Sequence, residues 1–163
     1  MGSRPVALLA AAFLALAAGG CHSDDDDAAD PGRTTTTQSP ESEVESAYLA
    51  FWDMAVRLAQ SPDPDDPEID QRASGEARSG LVDGLRRLAD LNRHSEFGPL
   101  YEHDVLSVDL DGDTAVVEDC AVDDSKIVDI GTGEVIDQSV VTEHLVVTMA
   151  RDDDTSWLSL IHI

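Results

Sequence analysis

Leu106-Ser107-Val108-Asp109-Leu110-Asp111-Gly112-Asp113-Thr114-Ala115-Val116-Val117 decides how the second half of this chain folds. Leu106, Val108 and Leu110 alternate with Ser107 and Asp109, the period-two pattern of a strand with one buried face. Asp111-Gly112 reverses the chain and Thr114 to Val117 returns as a β-rich run, so the stretch reads as a hairpin. Toward the C-terminus the same punctuation recurs. Ala121 to Asp124 reads as a break, Lys126 to Ile130 as a short strand, and Gly131-Thr132-Gly133 as a turn. Val140 to Ala150 is a long strand, Arg151 to Thr155 a polar turn, and Trp157 to Ile163 a closing strand.

Upstream the apolar period is 3.6. Val44, Ala47, Tyr48, Phe51, Ala55 and Leu58 form one helical stripe, with Trp52 beside it. Either Ser39-Pro40 or the capping box Ser42-x-x-Glu45 starts this helix, and Ser61-Pro62-Asp63-Pro64 stops it. Asp66-Pro67 opens a short second helix to about Ala73. A third runs near Glu76 to Arg93, with Leu81, Leu85, Leu88 and Ala89 on one face. Gly80 and Gly84 weaken it by about 1 kcal/mol each relative to Ala, which close packing on a sheet would explain. Helices first and consecutive antiparallel strands second predict an α+β domain. Its N-terminal helices pack on one face of a curved, mainly antiparallel β-sheet.

The 163 residues hold 34 Asp and Glu against 10 Lys and Arg, a formal net charge of -24. That balance excludes nucleic acid as a partner, because phosphate neutralisation needs clustered Lys and Arg. It equally excludes adsorption to anionic lipid through a basic patch. Two cysteines do not make a disulfide scaffold.

The N-terminus carries a location signal. Arg4 precedes thirteen unbroken apolar residues, Val6 to Ala18, which give way to Gly19, Gly20 and Cys21. A positive start, a short apolar run and a small-residue exit are the parts of an export signal. Thirteen helical residues rise only about 20 Å, short of the roughly 30 Å of a membrane span. Ala18-Gly19-Gly20-Cys21 resembles the lipobox of bacterial lipoproteins, with Ala18 where Leu is commonest. The resemblance implies cleavage before Cys21 and a diacylglycerol on its thiol, which further acylation turns into stable anchoring. Residues 1–20 are then a lipoprotein signal peptide. Residues 21–40 are the lipidated cysteine and a disordered acidic and Thr-rich linker, and 41–163 a single domain. The linker holds Asp24 to Asp27 and Thr34 to Thr37 with no large apolar side chain; its nineteen residues after Cys21 reach about 60 Å when stretched.

The order of elements resembles the nuclear-transport-factor-2-like (cystatin-like cone) superfamily, and more closely small actinobacterial lipoproteins carrying that fold. The matching segments are Ala47 to Trp52, Asp63 to Glu68, Val116 to Cys120 and the strand from Trp157. The resemblance implies a cone able to enclose an apolar cavity. In the isomerases of this fold a carboxylate base and a hydrogen-bond donor face that cavity. Tyr48, Asp53, Tyr101 and Asp119 are the candidates for such roles, although no motif assigns them one. Tyr48, Phe51, Trp52 and Trp157 are candidates to line a ligand pocket, or else to fill the space between helix and sheet.

Other signals dissolve on inspection. Counted from Asp109 as a calcium loop, Gly112 falls at position 4 and Cys120 at 12, so Asp109-Leu110-Asp111-Gly112-Asp113 reads as a turn. Asp63 to Asp66 and Asp152 to Asp154 read as solvated turns. His94, His103, His144 and His162 show no metal-ligand spacing, with His103 and His144 on different strands. Cys120 lies among carboxylates that disfavour a thiolate, and reads as a small buried hydrophobe in a strand. No metal site, cofactor or catalytic residue is expected. The expectation is a lipoprotein held on the outer face of the cytoplasmic membrane through Cys21. It serves as a non-enzymatic binding or accessory module of the cell envelope, with an envelope protein or a small apolar ligand as its partner. The alternative is a small-molecule carrier or isomerase-like enzyme that uses the cone cavity.

Overall fold

Ser39 is the residue that begins the first helix. Its extended backbone and a side-chain oxygen accepting the Ser42 N–H at 3.3 Å cap α1, Pro40–Gln60, with Pro40 in the first turn. In the structure, a computed structural model, residues 38–153 and 156–162 are described, with side chains through Ser159. The leader, most of the linker and the His162 side chain lie outside the described residues. Within α1 the buried stripe is Val44, Tyr48, Phe51, Met54 and Leu58, so Met54 takes the core place that the pattern gave to Ala55. A short helix, α2 at Glu68–Arg72, and a longer one, α3 at Gly75–Asp90, follow.

The strands form two antiparallel sheets rather than one. β1 is Arg93–Glu96, β2 Glu102–Asp111, β3 Thr114–Asp123, β4 Lys126–Asp129, β5 Val135–Gln138, β6 Val141–Arg151 and β7 Trp157–His162. The larger sheet runs β2-β3-β6-β7 and the smaller β1-β4-β5. The α+β class is therefore observed, with the sheet divided.

Three local readings are corrected. The third helix stops at Asp90 because Asn92 adopts a left-handed φ of 53°, and the next residues become β1. The Ala121–Asp124 break is absent up to Asp123, since β3 stays in register with β6 along its whole length. The even alternation from Leu106 also fails. A bulge between Val105 and Ser107 makes Leu106 the extra residue, so Val105, Val108 and Leu110 face the core and Leu106 is exposed.

Two apolar clusters hold the layers together. One joins the helices through Phe51, Met54, Leu58, Ile69, Val82 and Leu85. The other joins α1 to the large sheet through Val44, Tyr48, Val117, Val147, Met149 and Trp157. Each fully buried large aliphatic contributes about 1.5–3 kcal/mol relative to exposure. Gly80 and Gly84 do not mediate helix–sheet packing: both are exposed, and a Cβ on either meets nothing within 4 Å. Gly98 differs. Asp124 accepts the Gly98 N–H at 3.0 Å and the Leu100 N–H at 2.8 Å, and a Cβ at Gly98 would land on that carboxylate.

Opposite outcomes are expected from one substitution at these two kinds of glycine. In urea unfolding, Gly84→Ala should raise stability by about 0.5–1 kcal/mol through helix propensity. Gly98→Ala should lower it by about 1–3 kcal/mol by displacing Asp124 from two N–H groups. Equal effects at both positions would contradict the clamp.

Candidate functional site

Strand parity carries a carboxylate into the core. Ala115, Val117, Asp119 and Ala121 share the buried face of β3, while Val116, Glu118, Cys120 and Val122 share the other. Asp119 has no solvent exposure. Its register partners are Val105 on β2 and Leu145 on β6, both apolar, so its polar contacts come from elsewhere.

Those contacts come from α1 and from β2. The Tyr48 hydroxyl donates to Asp119 Oδ2 at 2.7 Å, and His103 Nδ1 lies 2.5 Å from the same oxygen. His103 stands opposite Ala121 on the inward face of β2, its side chain only 7% exposed. Tyr101, just before β2, places its hydroxyl 2.9 Å from His103 Nε2. Trp52, one turn along α1 from Tyr48, stacks on the imidazole with centroids 4.5 Å apart at 24°. The Tyr48 ring meets it edge-on at 6.0 Å. Phe97 packs edge-on against Tyr101 at 4.8 Å.

The result is a linear network, Tyr101–His103–Asp119–Tyr48. With Nδ1–H donating to Asp119, Nε2 accepts from Tyr101 when the imidazole is neutral and donates to it when protonated. Tyr101 can serve both states by rotating its hydroxyl. The network can thus hold or pass a proton between a half-buried phenol and a buried carboxylate. Burial raises the Tyr48 hydroxyl far above the ordinary phenol range, and the hydrogen bond to Asp119 adds to this against a smaller opposing contribution from Trp52. Tyr101 is raised in the same direction, by burial first and then by the charges of Asp123, Asp53 and Asp119. Asp119 Oδ1 is buried and has no hydrogen-bond partner among the described residues.

Of the four polar candidates, the structure joins Tyr48, Tyr101 and Asp119. Asp53 stays on the exposed face of α1 and bears on Tyr101 only through its charge. His103 is the member that sequence reasoning left unassigned. Its signal was parity: it lies two residues before Val105, on the same face, whereas His144 faces outward opposite Cys120. His94 and His144 lie near Glu96 and Glu118, at 3.3 and 3.9 Å. Cys120 is half-buried on the outward face rather than in the core. The described residues hold no group of three or more metal-ligating side chains.

The four candidate pocket-lining aromatics separate. Phe51 and Trp52 line a cleft of about 350 Å³ between α1 and α3, floored by Ala77 and Leu81. Tyr48 is wholly buried against Asp119. Trp157 packs under α1, with the Arg151 guanidinium 4.8 Å from its ring centroid. Cys21, the lipidation candidate, lies outside the described residues.

No family model matches the chain, and no curated protein matches it significantly. Among solved structures, the intermembrane space region of the chloroplast protein ARC6 is similar, with a TM-score of 0.60 at 15% identity. The match covers 77% of this chain and 96% of that one. This likeness is one of fold alone.

The chain has two tyrosines, both in the network, so tyrosinate absorbance reports on it directly. Each phenol is raised above its unfolded value of 10.0, so the stabilisation is complete below that pH and is lost as pH rises through the folded values. Tyrosinate absorbance should therefore appear only together with loss of the folded circular dichroism signal. A reversible rise near pH 10, before unfolding, would show that the phenols are open to water.

Proposed function

We propose that this protein is an exported lipoprotein, held on the outer face of the cytoplasmic membrane by lipid on Cys21. Its domain acts there as a non-enzymatic binding or accessory module of the cell envelope. The observation that carries the reading is Ala18-Gly19-Gly20-Cys21 closing a thirteen-residue apolar run, followed at once by an acidic linker. We further read the helices and two sheets as a nuclear-transport-factor-2-like cone. The non-enzymatic part rests on how the polar groups are spent. Tyr48 and Asp119 are wholly buried and bonded to one another, and His103 is covered by Trp52 and Tyr101. A domain of this kind presents surface, not chemistry.

The anchor is tested by metabolic labelling. Cells making the full chain should incorporate radiolabelled palmitate into it and carry it into the detergent phase. Cys21→Ser should abolish both. Labelling that survives Cys21→Ser, or absence of label from the unaltered protein, refutes the anchor.

One observation favours an enzymatic reading, a small-molecule isomerase or carrier that uses the interior. Asp119 keeps one buried oxygen without a partner among the described residues, beside a Tyr–His pair, the composition of an acid–base site. That reading requires turnover of a small carbonyl compound that falls at least about a hundredfold in Asp119→Asn while the fold persists. Proton exchange from such compounds that is equal for Asp119→Asn and the unaltered domain leaves the module reading standing.

A further inference from the structure

The β4–β5 hairpin ends in an open edge. β5 is the outer strand of the small sheet, bonded along one side to β4, and all four of its residues are exposed. Its other side faces no strand among the described residues, so it offers backbone N–H and C=O groups to any chain that can lie alongside. Apolar surface gathers here. Val135, Ile136, Val140 and Val141 are exposed, Val140 by 62%. A groove of about 470 Å³ runs beside the strand, with Phe97, Pro99, Leu100, Val135 and Val140 in its walls. The Phe97–Leu100 wall is preformed, since Asp124 holds the N–H groups of Gly98 and Leu100.

Charge selects what can occupy that edge. Lys126 is the one Lys or Arg between Arg93 and Arg151, a span holding fourteen Asp and Glu, and its ammonium is taken by Glu96 at 2.7 Å. Glu134 and Asp137 flank and interrupt β5 itself. Natural sheets blunt exposed edges with Lys, Pro or inward charges; β5 itself carries only Asp137, and Lys126, in the groove wall with Glu96 and Asp124, is paired with Glu96. A second copy added to β5 would set Asp137 and Glu134 against their own kind, which is destabilising. A cationic strand would reverse the sign of that interaction.

We infer that the free edge of β5 docks an extended basic segment of a partner protein. The segment adds as a strand, seats alternate apolar side chains in the adjoining groove, and sets Lys or Arg against Glu134 and Asp137. This names the partner chemistry of the binding role proposed above and rests on that role. It does not depend on the acyl group, so palmitate labelling and the measurement below fail or succeed separately.

The test uses the full chain in non-ionic detergent and a fluorescein-labelled probe of about ten residues alternating Lys and Val, read by anisotropy. Two matched probes accompany it: alternating Glu and Val, and the Lys–Val peptide N-methylated at every second amide. The Lys–Val probe should bind at least about tenfold more tightly than either. Asp137→Lys should weaken it by about tenfold, whereas Asp109→Lys, the same charge change at an exposed position of β2, should cost less than about threefold. Ile136→Ser, which leaves charge untouched, should also weaken binding. Amide exchange should slow at 134–141 on adding the probe. Several results would overturn the inference: equal losses at Asp137 and Asp109, equal binding of the N-methylated probe, or protection confined to other strands. So would a concentration-dependent dimer abolished by Ile136→Lys, which would make a second copy the occupant.

Discussion

A carboxylate without solvent exposure imposes its demands on everything around it. Removing Asp119 from water costs several kcal/mol unless donors meet it inside the protein. Those donors come from two other elements, Tyr48 on α1 and His103 on β2, both within 2.7 Å of Oδ2. The helix must therefore cross the sheet where the Tyr48 hydroxyl reaches β3, and β2 must pair so that His103 stands opposite Ala121. Apolar packing between α1 and the sheet, through Val44, Val117 and Val147, tolerates small slides; the hydrogen bonds do not. A one-residue slip of β3 would turn Asp119 outward and bury Glu118 or Cys120 instead. The network is thus better understood as fixing register than as adding stability, since a well-packed apolar trio of similar volume can be equally stable.

The same parity logic explains what could be read from the chain and what could not. The helical stripe Val44–Tyr48–Phe51–Leu58 was legible because burial on one helix face repeats at three and four residues. The hairpin at Asp111-Gly112 was legible because Gly112 supplies a φ of 60° that other residues resist. Leu106 misled for a specific reason: a bulge is a local insertion that leaves the apolar alternation intact in sequence while flipping it in space. His103 was hidden by that flip, whereas Asp119 follows the undisturbed alternation of β3. Counting inward from Leu106, Val108 and Leu110 puts His103 on the wrong face, and only the bulge restores it to the side of Asp119. Tyr101, outside the strand, had no periodic signal at all.

Division of the sheet was hidden differently. β1, Arg93–Glu96, has the sequence Arg-His-Ser-Glu, which carries no apolar alternation. It is a strand because β4 pairs with it from Arg93↔Asp129 to Glu96↔Lys126, and because Asn92 at φ 53° ends the helical path before it. The Ile130 N–H also donates to the Asn92 carbonyl at 2.9 Å, which ties the hairpin to the helix terminus. Tertiary pairing thus overrides weak local preference. The cost of that arrangement is a short hairpin extending beyond the helical cover, with β5 as its outermost strand.

Charge is partitioned between the two layers in a way that stability does not require. In the helical layer cations meet anions: Arg57 contacts Asp66 and Glu68, Arg72 contacts Glu68, Arg78 contacts Asp70, and Arg86 contacts Asp83. The Arg72 hydrogen bond, then Arg57, holds the Glu68 carboxyl below its usual range, but these are exposed pairs that contribute little to folding. In the sheet layer Arg93 opens β1 and Arg151 ends β6; between them Lys126 alone stands against fourteen acidic residues, and Glu96 claims it. Like charges there repel one another and oppose compaction, so their concentration on one side lowers stability relative to an even spread. A distribution that is costly for folding and neutral for solubility has its physical consequence at long range. It directs cationic surfaces toward the strands and repels anionic ones, including neighbouring copies of the same chain. The open edge of β5 lies within that field. Backbone geometry and electrostatics, which arise from unrelated features of the sequence, therefore select the same face of the molecule.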